Sequence, residues 1–272
     1  MFPSVRVEFA LCAFHRSPAQ VARQPVTPIA SPRPKAGSCR GQPSPAVTHD
    51  MPDQTLPPGA VILDCDGVLV DSEPIMNREF TGMLNDLGLR YTSETAIRTF
   101  MGRSMRSCLQ IIEGELGRPV PGDFLQILDQ RAFAAFAKDL RPVPGVTELL
   151  DALDLSGTPY SVASSGSHEK MNKTLGITGL LPRLQGRITS ATEVAHGKPA
   201  PDVFLLAAER IGVPPSGCVV IEDSLLGIQA ARAADMRVIG YAAMVGPDEM
   251  REAGATHVVT TLRDVPTLLA LV

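Results

Sequence analysis

Long apolar runs are missing from this sequence. No stretch of 18 consecutive apolar residues occurs among its 272 residues, so no membrane-spanning helix is expected. An excess of basic charge is missing too. The 25 Lys and Arg stand against 29 Asp and Glu, a net charge of −4, which gives no support for nucleic-acid binding. The five cysteines (Cys12, Cys39, Cys65, Cys108, Cys218) are odd in number, scattered and without metal-ligand spacing. That fits reduced thiols in a cytoplasmic protein better than a disulfide framework. No internal repeat is visible. What is present is 44% hydrophobic and 20% charged residues, enough to build a sizeable core.

Acidic residues are absent between Glu8 and Asp50. The first 58 residues hold 11 of the 24 prolines and carry six Lys or Arg against three Asp or Glu. A segment such as "PIASPRPKAGSCRGQPSPAV" has too few apolar residues and too many prolines for a helix or a central strand. Residues 1–57 are therefore expected to be a disordered, Pro-rich extension. An Arg-rich, acid-poor leader is also the composition of a targeting segment, but no basic stretch leads the short apolar "FALCAF". A tail, or sequence upstream of a start at Met51, are the other readings.

Beyond residue 58 a rhythm begins. "AVILD", "YSVAS", "CVVIE", "RVIGYA" and "THVVT" are short apolar runs, most of them rich in β-branched residues. Such runs suit strands buried on both faces of a parallel sheet. Helical segments separate them: "PDVFLLAAERIG" has Pro201 suited to a first turn and Gly212 suited to the residue after the last. The alternation predicts an α/β fold, a doubly wound, Rossmann-like parallel sheet. Residues 74–140 break the rhythm with helices only. One stripe runs through Met105, Cys108, Leu109, Ile112 and Leu116, another through Phe124, Leu128, Phe133, Phe136 and Leu140. This is expected to be a helical bundle inserted as a cap domain into a core formed by 58–73 and 141–272.

Ligands of open α/β sheets bind at the carboxyl ends of the strands, so the residues after each apolar run matter most. "VILDCDGVLVDSE" ends its first run in Asp64 and Asp66; "YSVAS" leads to Ser164, Ser165 and Gly166; "CVVI" leads to Glu222 and Asp223; Lys198 lies in "HGKPAP". In an extended chain Asp64 and Asp66 face one way and Cys65 the other, so Cys65 reads as a buried structural thiol. Clustered carboxylates cannot all stay ionised without a cation. Without a His or Cys ligand pattern the expected ion is Mg²⁺, which takes one or two carboxylates and leaves room for a phosphate oxygen. Ser164, Ser165 and Gly166, where a strand turns into a helix, offer backbone N–H groups to an anion, and Lys198 reads as a fixed cation beside it.

"DCDGVLVDSE", "VASSGS", "GKPAPDVF" and "IEDSLLGIQAA", in this order, resemble the haloacid dehalogenase-like superfamily of phosphotransferases. The likeness runs from residue 60 to about 260. It points to the subclass with a helical cap, near sugar-phosphate and phosphoglycolate phosphatases and β-phosphoglucomutase. It implies Asp64 as the nucleophile that forms an aspartyl-phosphate, and Asp66 as general acid and then base. It implies a Mg²⁺ site from Asp64, the backbone oxygen of Asp66, Asp223 and Glu222, and phosphate contacts from Ser164, Ser165, Gly166 and Lys198. Arg103 in the cap loop "FMGRSM", and Glu73 where the chain leaves for the cap, are the expected specificity residues.

The implied activity is a Mg²⁺-dependent phosphatase of a small phosphorylated metabolite, a sugar or sugar-acid phosphate, acting as a monomer or small homo-oligomer. Asp66 argues against dehalogenation, which lacks the second acid. Met76 stands where mutases of the β-phosphoglucomutase type often carry a cap histidine. Residues 74–137 hold no lysine for the imine chemistry of phosphonatase-like members. A phosphomutase is the alternative. A non-enzymatic phosphoacceptor module like a signalling receiver is the remote one, since receivers lack a cap and place their acidic pair before the phosphoacceptor.

Overall fold

The computed structural model describes residues 57–100 and 105–271. In chain order the elements are β1 (Ala60–Leu63), α1 (Glu73–Asp86), α2 (Ser93–Phe100), α3 (Met105–Leu116), α4 (Phe124–Asp139), α5 (Val146–Ser156), β2 (Tyr160–Ser164), α6 (His168–Ile177), α7 (Leu181–Leu184), β3 (Ile188–Ser190), α8 (Asp202–Ile211), β4 (Cys218–Glu222), α9 (Leu225–Ala233), β5 (Arg237–Tyr241), α10 (Pro247–Glu252), β6 (His257–Val259) and α11 (Val265–Leu268). The six strands form one sheet in the order β3-β2-β1-β4-β5-β6, and every pairing is parallel. This is the doubly wound α/β fold that the alternating pattern predicts. All five anticipated strands are present, and β3 adds a sixth at the edge. The anticipated disordered extension lies outside the described residues except at Pro57.

The apolar runs are continuous because each strand is covered on both faces. Val61, Leu63, Val162, Val219, Ile221 and Ile239 belong to one buried cluster. Ala60, Ile62, Ala163, Val220 and Val238 belong to the other. Neighbours in sequence thus alternate between two cores, as a period of two requires. Each fully buried aliphatic side chain contributes about 1.5–3 kcal/mol. Gly212 ends α8 at φ 77°, the left-handed conformation anticipated for it.

Five helices lie between β1 and β2; the first four, α1 to α4, precede the return linker at residues 141–143. Phe80 of α1 packs edge-on against Phe100 at 5.2 Å and Phe124 at 6.3 Å, and Tyr91 meets Phe100 at 5.3 Å. Such pairs add about 0.5–1.5 kcal/mol each beyond the area they bury. The anticipated stripes are the buried faces: Met105, Cys108 and Ile112 on α3, and Phe124, Leu128 and Phe136 on α4. The chain enters and leaves this insertion through two linkers paired to each other. The Asp71 N–H donates to Arg141 O at 3.0 Å and the Val143 N–H to Leu69 O at 3.0 Å, around an antiparallel bridge between Val70 and Pro142. Among the described residues no helix is long and apolar enough to cross a membrane.

Candidate active site at the carboxyl edge of the sheet

Strand register brings Asp64 and Glu222 to one level. Leu63 pairs with Val162 of β2 and with Ile221 of β4, so Asp64 stands level with Ala163 and Glu222. The Asp64 N–H donates to Ile221 O at 3.0 Å, which ties the turn after β1 to β4. The Lys198 ammonium caps this rung across three adjacent strands. It donates to Asp64 Oδ1 at 2.6 Å, to Glu222 Oε1 at 2.6 Å and to Ala163 O at 3.2 Å. Lys198 precedes Pro199 through a cis peptide bond, and the Phe204 ring of α8 lies 4.8 Å from the ammonium. All three charged residues are buried.

Burial sets the electrostatics. It pushes the Asp64 carboxyl up to about 7, with Lys198 opposing and Glu222 adding to the shift. Burial disfavours the Lys198 ammonium, but Asp64 and Glu222 outweigh it and its pKa is raised. Part of Asp223 reaches solvent, yet burial of its carboxyl, then Glu222 and Asp64, hold it well above the ordinary carboxylate range.

Two glycines make the crowding possible. A β-carbon on Gly67, which turns the chain at φ +80°, would overlap the Asp223 carboxylate. A β-carbon on Gly227 in the first turn of α9 would overlap Glu222. Glu222 is fully engaged: Oε1 accepts from Lys198, and Oε2 accepts from the Ser224 N–H at 2.8 Å and Ser224 Oγ at 2.9 Å.

Among the described residues no three His, Cys, Asp or Glu side chains are grouped so as to hold a metal ion. Mg²⁺ needs fewer, since it accepts one or two carboxylates and fills its shell with waters and phosphate oxygens. Asp64 and Asp223, carboxyls whose ionisation is resisted first by burial and then by neighbouring carboxylates, are a donor set that fits a hard divalent cation.

Ser164 closes β2, and Ser167 caps α6 by accepting the Lys170 N–H at 3.2 Å. Between them the loop is held from both sides. Ser164 Oγ accepts the Gly166 N–H at 3.0 Å, and Ser190 Oγ of β3 donates to Gly166 O at 2.7 Å. Ser165 is half-buried at the tip. Glu193 braces the same corner, accepting the Ser190 N–H at 2.8 Å, Arg210 at 2.6 Å and His168 at 2.8 Å. Arg210 is the main cause of a Glu193 pKa lowered to about 2. A depressed folded-state pKa means stability that is present above the ordinary carboxylate value and lost as pH falls towards 2. Glu193→Gln is therefore expected to cost about 0.5–1 kcal/mol at neutral pH, as for other partly exposed ion pairs. Urea unfolding should show this gap between variant and wild type closing as pH falls from 4.5 towards 2.

Asp66 is buried a step from Asp64. Its Oδ1 accepts from Ser72 Oγ at 2.8 Å and its Oδ2 from the Lys170 ammonium at 2.7 Å. Glu73 opens α1, and burial, then Asp66, push its carboxyl up to about 7. Cys65 faces the core, fully buried, and burial raises its thiol well above the usual range, so it is not a nucleophile. Arg103 lies outside the described residues. His168 and His196 serve surface contacts with Glu193 and Asp202.

Sequence reasoning missed Lys170. The available signal was its place on the buried stripe of α6 beside Met171, Thr174 and Leu175, where a lysine is out of character. A separate cavity of about 440 Å³ at the opposite end of the sheet, lined by Tyr160, Ser161, Arg187 and Arg210 among others, contains none of these strand-end residues.

Comparison with known proteins agrees with this fold. The sequence profile of haloacid dehalogenase-like hydrolases matches residues 61–241. The chain is 34% identical over 205 residues to the chloroplastic protein Suppressor of Quenching 1 of Arabidopsis thaliana, covering 73% of this chain but only 19% of that protein. It is 28% identical to the 6-phosphogluconate phosphatase of Escherichia coli K12, covering 68% of this chain and 82% of that enzyme. Among solved structures, a conserved haloacid dehalogenase-like protein of unknown function from Agrobacterium tumefaciens superposes with a TM-score of 0.71 at 33% identity, covering 78% of this chain and 97% of that one. The rung of Asp64, Glu222 and Lys198 thus sits on a chain that belongs to the haloacid dehalogenase-like hydrolase family.

Proposed function

We propose that the protein is a phosphoric monoester hydrolase acting on a small phosphorylated metabolite, a sugar or sugar-acid phosphate, through an aspartyl-phosphate on Asp64. The observation that carries this reading is Lys198, whose ammonium joins three adjacent strand ends and holds one oxygen of Asp64. The other oxygen attacks phosphorus in line with the leaving group. Asp66 gives its proton to the departing sugar oxygen, then accepts one from the water that cleaves the acyl phosphate. Ser164, Ser165 and Gly166, at the start of α6, bind the remaining phosphate oxygens together with Lys198. Asp64, the main-chain oxygen of Asp66 and Asp223 would hold Mg²⁺, which supplies neutralising charge for the phosphoryl group. Glu222 is assigned to fixing Lys198, because both its oxygens are already taken by Lys198 and Ser224. Helices α1 to α4 act as the cap over a core of residues 58–73 and 141–272, with Glu73 and Arg103 reading the substrate.

The likeness to a 6-phosphogluconate phosphatase supports a sugar-acid phosphate as the first substrate to try. Purified protein should release inorganic phosphate from at least one member of a panel of sugar phosphates, sugar-acid phosphates and phosphoglycolate, and EDTA should abolish that release. No release from any member, or release indifferent to chelation, overturns the proposal. An isomeric phosphate formed from β-glucose 1-phosphate and a bisphosphate primer, without phosphate release, would establish the mutase instead.

A further inference from the structure

Asp66 is held by two donors from different parts of the chain. Ser72 Oγ, in the linker to α1, donates to Oδ1 at 2.8 Å, and Lys170 Nζ, in the first turn of α6, donates to Oδ2 at 2.7 Å. Both charged side chains of the second contact are almost wholly buried, at 3% and 4% exposure. Gly166 of the phosphate-binding loop completes the arrangement. A β-carbon there would stand 3.5 Å from Lys170 Cδ and 3.7 Å from Asp66 Oδ2, so the loop, the lysine stem and the carboxylate are in mutual contact.

A buried ion pair contributes little net stability, because desolvation offsets the attraction. Stability alone therefore does not account for a lysine at this place. Direction does. A carboxylate has about four lone-pair sites, and one donor on each oxygen fixes where the others point. The Lys170 charge also acts on two carboxylates of the helical insertion, opposing the burial that raises Glu73 on α1 and Asp129 on α4. One Asp129 oxygen is buried without a hydrogen-bond partner. Lys170 thus bonds Asp66 from a helix, α6, that packs against α4 of the helices proposed to cover the substrate.

We propose that Lys170 is a positioning residue that aims the Asp66 carboxyl at the leaving-group oxygen. The proposal rests on the assignment of Asp66 as acid and base. In the step concerned, Asp64 bonds to phosphorus, the bond from phosphorus to the sugar oxygen breaks, and that oxygen takes the Asp66 proton. An alkoxide leaving group needs the proton; a nitrophenolate leaves without it. Misaiming Asp66 therefore slows the first class of substrate and spares the second, which loss of structure does not do.

The test compares phosphoenzyme formation, by rapid quench, from the best sugar phosphate of the panel and from p-nitrophenyl phosphate. For Lys170→Met the sugar-phosphate rate should fall about 100-fold and the nitrophenyl rate less than about 5-fold, with KM changed less than about 3-fold for both. Lys170→Arg, which keeps a charged donor, should recover to within about 10-fold of wild type on the sugar phosphate. Lys170→Gln, a neutral donor with less packing change, serves if the methionine variant does not fold, and thermal unfolding is followed for each. Asp66→Asn should show the same split. If Asp66→Asn shows it and the folded Lys170 variants lose both rates equally, or neither, Lys170 does not aim Asp66 and the inference fails alone. If Asp66→Asn shows no split, the acid assignment fails and the inference with it.

Discussion

Asparagine at Asp64 is expected to lower phosphate release by at least about 10,000-fold, the scale seen when a covalent nucleophile is removed. The substitution keeps the size and one carbonyl oxygen, so the amide can still accept from Lys198, now 2.6 Å from Oδ1. What it removes is the nucleophilic oxygen. It also removes a charge that burial already resists, since the Asp64 carboxyl is pushed up to about 7. The variant should therefore unfold at the same temperature as the parent or higher, the usual relation when a strained catalytic charge is deleted. Phosphate release and thermal unfolding measured on one preparation separate the two effects. Turnover within about tenfold of wild type would eliminate Asp64 as nucleophile.

Lys198→Met should cost both activity and fold. Three acceptors lose their donor at once, Asp64, Glu222 and Ala163 O. Breaking a buried ion pair on one side costs about 3–5 kcal/mol, because the partner charge stays buried and unpaired. The sign of the pH dependence follows from the carboxylates. Asp64 already has a folded-state pKa raised from 3.8 to about 7, and losing the opposing Lys198 charge raises it further. A carboxyl with a raised folded-state pKa holds its proton more tightly in the folded chain than in the unfolded one, so stability falls as pH rises above the ordinary value. The deficit of Lys198→Met in urea unfolding should thus be smaller at pH 5 than at pH 8. A deficit that is equal at both, or larger at pH 5, would mean that the ammonium does not offset these carboxylates. Activity should fall by about 100- to 1,000-fold, as for removal of a donor that stabilises developing charge.

Much of this was legible in the sequence, for identifiable reasons. Central strands covered on both faces are written as continuous apolar runs, so β1, β2 and β4 could be read from composition alone, and their ends located Asp64, Ser164 and Glu222. The stripe through Phe124, Leu128 and Phe136 was visible because a helix packed on one side leaves a periodic trace. Edge strand β3 was not visible, since the three residues of Ile188–Ser190 are too few for any period to show. The contact between Lys170 and Asp66 joins residues 104 positions apart, and nothing local to either encodes it. Glu222 shows the limit from the other side. Its place at a strand end was evident, but its rotation towards Lys198 and Ser224 depends on Gly227, whose missing side chain makes the space.

The rung shared by Ala163, Asp64 and Glu222 has a consequence for alignment as well as chemistry. Strands β1 (AVIL) and β4 (CVVIE) pair through nearly uniform aliphatic side chains, which contain little to distinguish one alignment from its neighbours. Sliding β4 by one residue would move its side chains about 3.3 Å and turn each to the opposite face. Ile221 or Asp223 would then stand at the level that Glu222 holds, and the ammonium would meet an aliphatic neighbour or a carboxylate aimed away from it. Lys198, which belongs to no strand, works as a gauge of the sheet: it finds all three acceptors in one alignment only. Mis-aligned species should accordingly be more abundant during refolding of the methionine variant than of the parent, visible as additional slow phases in the recovery of native fluorescence from the tyrosines.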